Sequence, residues 1–114
     1  MTKLSLWKIL VPTHYNSESK IEVEHHKVWD KFVQNNTNGL TINKPSKGIW
    51  VSGNDTTYEE TMIPVEIACT ENEIEKIIEF TAKHYKQIAV FCAEISPNVK
   101  LYNYDTEEFI RKTC

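Results

Sequence analysis

The sequence predicts an α+β fold in the order β-α-β-β-α-β, an antiparallel sheet with two helices on one face. Three observations carry this. Residues 58–69 (YEETMIPVEIAC) alternate strictly between apolar and mixed side chains, the period of a strand. Residues 22–36 and 71–86 carry apolar side chains at helical spacing. Short extended segments lie before, between and after those helices, so each helix has strands on both sides of it in the chain.

The elements follow in order. Residues 4–11 (LSLWKILV) are aliphatic, aromatic and β-branched and run into Pro12, which predicts the first strand. Residues 12–21 (PTHYNSESKI) carry turn formers and predict a loop. In residues 22–36, Val28, Trp29, Phe32 and Val33 form one helical stripe, ended by Asn35, Asn36, Asn38 and Gly39. Leu40 to Asn43 and Gly48 to Ser52 read as one strand interrupted by Lys44-Pro45-Ser46-Lys47, with Gly53-Asn54-Asp55 as the next turn.

In the alternating strand that follows, Ile63, Val65, Ile67 and Cys69 share one face, and Glu60, Met62, Pro64 and Glu66 share the other. Thr70 and Glu73 form a capping-box pair for the second helix, whose stripe is Ile74, Ile77, Ile78, Thr81 and Tyr85. Residues 88–95 (IAVFCAEI) predict the next strand and Pro97-Asn98 a turn. Val99 to Tyr104 predict an edge strand, and Asp105 or Thr106 would cap a short helix from Glu107 to Lys112. Two such crossovers in one small unit describe a ferredoxin-like sandwich. The chain reads as a single domain over residues 1–114 with a short C-terminal tail, 105–114.

Composition bounds the function. The chain has 114 residues, enough for one modest core. Its formal net charge is −3, which argues against a protein that reads the nucleic-acid backbone. Cys69, Cys92 and Cys114 are widely spaced and form no CxxC, so neither a zinc site nor a disulfide framework is expected. No metal-ligand or phosphate-loop motif occurs, so no metal and no cofactor are expected. The apolar run from Leu4 to Val11 is too short to span a membrane, and the chain is expected to be cytoplasmic.

The sheet face that the helices leave open decides the function. It carries Met62 and Pro64 beside Glu60 and Glu66, a mixed apolar and acidic surface that predicts oligomerisation through the sheet. A carboxylate in a partly dry interface needs a cation or a donor, so this face suits a positively charged ligand. His14 and Tyr15 follow the first strand, at the end where strand-borne loops build sites. Trp50 and Tyr58 are candidates to stack on a flat base such as adenine. For every one of these residues, ordinary core or surface packing is the competing reading.

The order WKILVPTHYNS, NGL (Asn38 to Leu40), GIW (Gly48 to Trp50), EET (Glu59 to Thr61) and KQIAVF (Lys86 to Phe91) resembles the small phage-type S-adenosylmethionine lyases. The resemblance implies a trimer with sites between subunits. It implies a metal-independent reaction in which the substrate's own carboxylate attacks beside the sulfonium. The products are methylthioadenosine and a homoserine lactone. The substrate is S-adenosylmethionine or its AMP conjugate, a second messenger of type III CRISPR systems that the lyase would remove. The family's catalytic Glu maps onto Glu60, with Glu59 next if the register differs by one. Its tyrosine maps onto Trp50, which has no hydroxyl, so Tyr58 or Tyr15 would supply one. His14, Tyr15, Trp50, Met62 and Glu66 are the implied substrate contacts, and Lys44, Lys47 and Lys100 are candidates for an added adenylate.

A second reading stays open beside the lyase: a non-enzymatic oligomeric sensor that binds an adenine nucleotide or a related small effector on the same face. The two differ in turnover. A purely structural interaction module would bind no small molecule at all.

Overall fold

The structure is a computed structural model and describes residues 3–110. Its elements are β1 (Ser5–Pro12), α1 (Val23–Asn36), β2 (Thr41–Ile42), β3 (Ser46–Val51), β4 (Thr57–Cys69), α2 (Glu71–Tyr85), β5 (Cys92–Ser96), β6 (Leu101–Asn103) and β7 (Glu108–Ile110). The main sheet is antiparallel in the order β2-β4-β1-β5, with β3 also on β4. β2 pairs with the C-terminal half of β4 and β3 with its N-terminal half. They are the two pieces of the interrupted strand that Lys44 and Pro45 predict. With that pair counted as one strand, this is the ferredoxin-like sandwich.

Register explains which face is buried. β1 and β4 pair with Ile9 opposite Val65 and Trp7 opposite Ile67. Those side chains share the face that α1 and α2 cover, and they join Trp29, Val33, Ile74, Ile77 and Tyr85 in one core. Burial of such side chains is the main driving force for the fold. The Trp29 indole N–H donates to Thr81 Oγ1 at 2.8 Å, and Thr81 donates in turn to the Ile77 carbonyl at 2.6 Å. The two helices are therefore joined by a buried polar relay inside an apolar interface.

α2 starts where the sequence predicts. Thr70 accepts from the Glu73 N–H, and the Glu73 carboxylate accepts from the Thr70 N–H. It ends at Lys86, which is left-handed (φ 55°). Lys86 and Gln87 both donate their N–H to the Ala82 carbonyl, which fixes the direction in which the chain leaves the helix.

Four local expectations are corrected. The strand predicted at 88–95 begins only at Cys92: after the left-handed cap Ile88 stands in solvent, and the chain rejoins β1 at Phe91, whose carbonyl accepts from Leu10 N–H at 3.1 Å. Val28 is 54% exposed, so the buried stripe of α1 is Trp29 and Val33 with Phe32 beside them. Val99 to Tyr104 do not extend the main sheet, since β6 pairs with β7 in a separate two-stranded ribbon. The helix predicted from Glu107 is instead strand β7, with Glu107 left-handed (φ 54°) just before it. The last residues of that predicted helix, and Cys114, lie outside the described residues.

The hairpin of β3 with the first half of β4 projects from the body as an arm. The Cα radius of gyration is 15.7 Å, against about 13 Å for a compact chain of this length. Along the arm Ile49 is 60% exposed, Val51 69% and Tyr58 53%. These are large apolar side chains left uncovered by the rest of the described chain.

Candidate functional site: a two-lobed cleft at the root of the arm

Strand alternation places the arm's side chains on two faces. Trp50 is opposite Tyr58, Gly48 opposite Glu60 and Ser46 opposite Met62, all on the open face of the sheet. Lys47, Ile49, Val51 and Glu59 point the other way. The loop after β1 and the segment after α2 close over the open side. Together they form a cleft of two adjoining lobes.

The first lobe, of about 540 Å³, is bordered by His14, Tyr15, Glu18, Tyr58, Glu60 and Gln87. The second, of about 400 Å³, is bordered by Leu10, Trp50, Tyr58, Ile88 and Phe91. Asn16, Tyr58, Glu60, Met62 and Gln87 border both. The second lobe is the more apolar. Its Trp50 and Phe91 rings lie 6.3 Å apart at 40°.

Backbone bonds hold the loop that carries His14. Ile21 N–H donates to Thr13 O, and Tyr15 N–H to Ser19 O, so residues 13–21 form a tight hairpin. Glu18 sits at its tip with φ 70°. Asn16 Nδ2 donates to the Lys86 carbonyl at 3.0 Å and ties this loop to the end of α2. The Thr13 hydroxyl donates to the Thr61 carbonyl at 2.9 Å, so it accepts from His14 Nδ1 at 2.7 Å. In the neutral ring this leaves His14 Nε2 as an acceptor.

The cleft is rich in acceptors. The exposed Glu60 carboxylate makes no hydrogen bond and no ion pair among the described residues. Gln87 Oε1 is buried, with no hydrogen-bond partner among them. A buried amide oxygen left unpaired costs free energy, and such atoms in native folds call for an explanation. Among the described residues no Lys or Arg borders either lobe.

The sequence-predicted residues sort as follows. The structure brings His14, Tyr15, Tyr58, Glu60 and Met62 together, and Trp50 joins them through the second lobe. Glu59 borders the first lobe, but it belongs to the other face of the strand and its carboxylate lies 2.8 Å from Lys47 Nζ. Glu66 lies outside both lobes. It sits opposite Lys8 and accepts from Asn43 Nδ2 at 3.2 Å. The Tyr15 hydroxyl is held by Glu22 at 2.6 Å, a bond that raises the Tyr15 pKa and lowers that of Glu22. Lys44 and Lys100 do not border the cleft.

Gln87, Asn16 and Phe91 escape sequence reasoning: Gln87 and Phe91 border the cleft through the left-handed exit from α2, and Asn16 through the 13–21 hairpin that its bond to the Lys86 carbonyl ties to that exit. The Lys86 cap was the one signal pointing there, and a Lys in that conformation carries no sequence mark. Sequence reasoning also missed the pairing of His25 with His84. Their rings stack at 3.7 Å, and each Nε2 bonds the other's carbonyl, at 2.8 and 2.7 Å. A carbonyl only accepts, so each Nε2 carries a proton. Of the two described cysteines, Cys69 is fully buried and Cys92 half-buried, with burial pushing the Cys92 thiol up to about 11. Among the described residues no group of three His, Cys, Asp or Glu is placed to hold a metal, and no helix is long and apolar enough to cross a membrane.

No family model matches the chain, and no curated protein matches it. Solved structures do. The divalent ion tolerance protein CutA1 from Ehrlichia chaffeensis is 14% identical with a TM-score of 0.61, covering 94% of this chain and 91% of that one. CutA from Synechococcus elongatus complexed with Bis-Tris is 14% identical with a TM-score of 0.58, covering 85% and 82%. PII of Arabidopsis thaliana bound to citrate is 14% identical with a TM-score of 0.51, covering 95% and 89%. At these identities the similarity establishes the ferredoxin-like fold.

These findings correct the expected enzyme. The similar structures named above are CutA and PII proteins, and none of them is an S-adenosylmethionine lyase.

Proposed function

We propose that this chain is a non-enzymatic, oligomeric binding protein that holds a small effector in the cleft at the root of the arm. The observation that carries the reading is the wall shared by the two lobes, where the Glu60 carboxylate, without a partner among the described residues, stands on the same face as the Trp50 and Tyr58 rings. A site built to bind leaves polar groups to be satisfied by its ligand. Two of the similar structures hold small molecules, Bis-Tris in one and citrate in the other.

The arm supports the oligomer. Ile49 and Val51 occupy the arm's face away from the cleft. A neighbouring subunit that covers them would leave Trp50 and Tyr58 free for the ligand. The assembly we propose is a homotrimer, with each arm reaching onto the next subunit and the cleft near the junction.

Of the effectors named above, a nucleotide fits poorly. Its phosphates would face Glu18 and Glu60 with no lining Lys or Arg to meet them. The base alone would find Trp50, Tyr58 and Phe91.

Light scattering on the purified chain tests the assembly, with a mass of three subunits expected. A melting-temperature screen of nucleosides, amines and organic acids tests the cleft. We expect at least one class to raise the melting temperature of the native chain but not of Trp50→Ala, and chromatography to recover the compound unchanged. A monomer whose melting temperature no compound moves would overturn the reading, as would a recovered product.

A further inference from the structure

We propose that the ligand is a small organic cation, a protonated amine carried on a flat apolar body. The inference rests on the cleft being a binding site, and it adds the chemical class of what is bound.

Three features of the cleft select charge and shape together. First, the charged group it offers on the aromatic face is an acceptor, the Glu60 carboxylate, and in the neutral ring His14 Nε2 accepts as well. An ammonium group has three donors and no acceptor, so it satisfies such a set. Second, the charge is one-sided. Glu18 and Glu60 border the first lobe, Glu59 stands at its margin paired with Lys47, and no Lys or Arg among the described residues borders either lobe. Third, the aromatic rings stand on the same face as Glu60. Trp50 and Tyr58 are cross-strand neighbours, Gly48 and Glu60 the next pair along, and Phe91 closes the second lobe. Aromatic faces attract cations through their quadrupole and cover flat apolar bodies.

The two lobes then divide the work. The charged nitrogen lies at the shared wall, against Glu60. The apolar body lies against the rings of Trp50 and Phe91 in the second lobe. An acid of the same body would bring a like charge to Glu60.

Isothermal titration of the full chain with four probes tests this: phenethylamine, phenylacetate, 2-phenylethanol and adenosine. Phenethylamine is expected to bind at least about tenfold tighter than phenylacetate, the scale of one well-placed charge contact. Glu60→Gln, a change at an exposed position, is expected to erase that preference. Trp50→Ala is expected to weaken phenethylamine and 2-phenylethanol alike. Phenylacetate binding as tightly as the amine, or the preference surviving in Glu60→Gln, overturns the cation. If 2-phenylethanol or adenosine still binds and Trp50→Ala abolishes it, the cleft stands and only the ligand class falls. No heat from any of the four overturns both.

Discussion

The indole of Trp50 lies against the backbone of Gly48. A methyl group in place of the Gly48 hydrogen would stand 3.0 Å from both Nε1 and Cζ2 of that ring. Gly48 thus lets the ring fold back along its own strand, toward the position opposite Glu60. The glycine of the GIW run serves this close approach rather than a turn.

Gly48→Ala is therefore expected to displace the indole without unfolding the arm, since the crowded atoms belong to a side chain that can swing. Binding of an aromatic probe should weaken about threefold or more, because a displaced ring forfeits a contact worth on the order of 1 kcal/mol. The melting temperature should move by no more than about 4 °C, the shift expected for about 1 kcal/mol in a domain of this size. Unchanged affinity in Gly48→Ala would show that the ring's placement does not matter to binding.

Thr81→Val keeps the shape of the side chain and removes the acceptor of the Trp29 N–H. Trp29 is 1% exposed, so water cannot replace that acceptor. The expected cost is about 1–3 kcal/mol, read as a lower urea midpoint with an unchanged slope. A midpoint equal to that of the native chain would contradict the buried relay between the helices.

Acid should destabilise the contact between the helices through His26. Burial lowers the His26 pKa, with smaller lowering from His25 and His84 and partial compensation by Asp30. Its Nδ1 lies 2.7 Å from the Tyr85 hydroxyl. The unfolded chain takes up this proton near pH 6.5 and the folded chain only below that. The His26 contribution is thus fully present above about pH 6.5 and is lost as pH falls toward the lowered folded value. Asp30 works the other way in a more acid window, because burial raises its pKa. Urea midpoints measured from pH 7.5 to 5.5 should fall, and they should fall less in His26→Asn. An equal slope in both would remove His26 as the cause.

The fold was legible because its signals are local and agree with one another. The alternation of Ile63, Val65, Ile67 and Cys69 set the buried face of β4, and the Thr70–Glu73 box marked the start of α2. Half of the candidate site followed from the same alternation, which put Tyr58, Glu60 and Met62 on one side. The rest depends on long-range geometry. Gln87 and Phe91 reach the cleft because Lys86 takes a left-handed cap, and a strand pattern at 88–95 hides that turn. Glu66 shares a face with Glu60 but lies further along the strand, where Asn43 engages it. β7 escaped because Glu107 to Lys112 has helix-forming composition, whereas pairing of Phe109 with Tyr102 settles that segment as a ribbon.

The most direct test of the cleft is a titration followed at Met62, whose side chain borders both lobes. The chain has 2 methionines, so a methyl-labelled sample gives a simple spectrum that Met62→Leu assigns. On adding phenethylamine to the native chain, the Met62 methyl signal is expected to shift and saturate, while the spectrum of the amine shows no new product. A Met62 signal that stays fixed through the titration while the amine binds elsewhere, or an amine converted to something else, would contradict a non-catalytic binding cleft at this place.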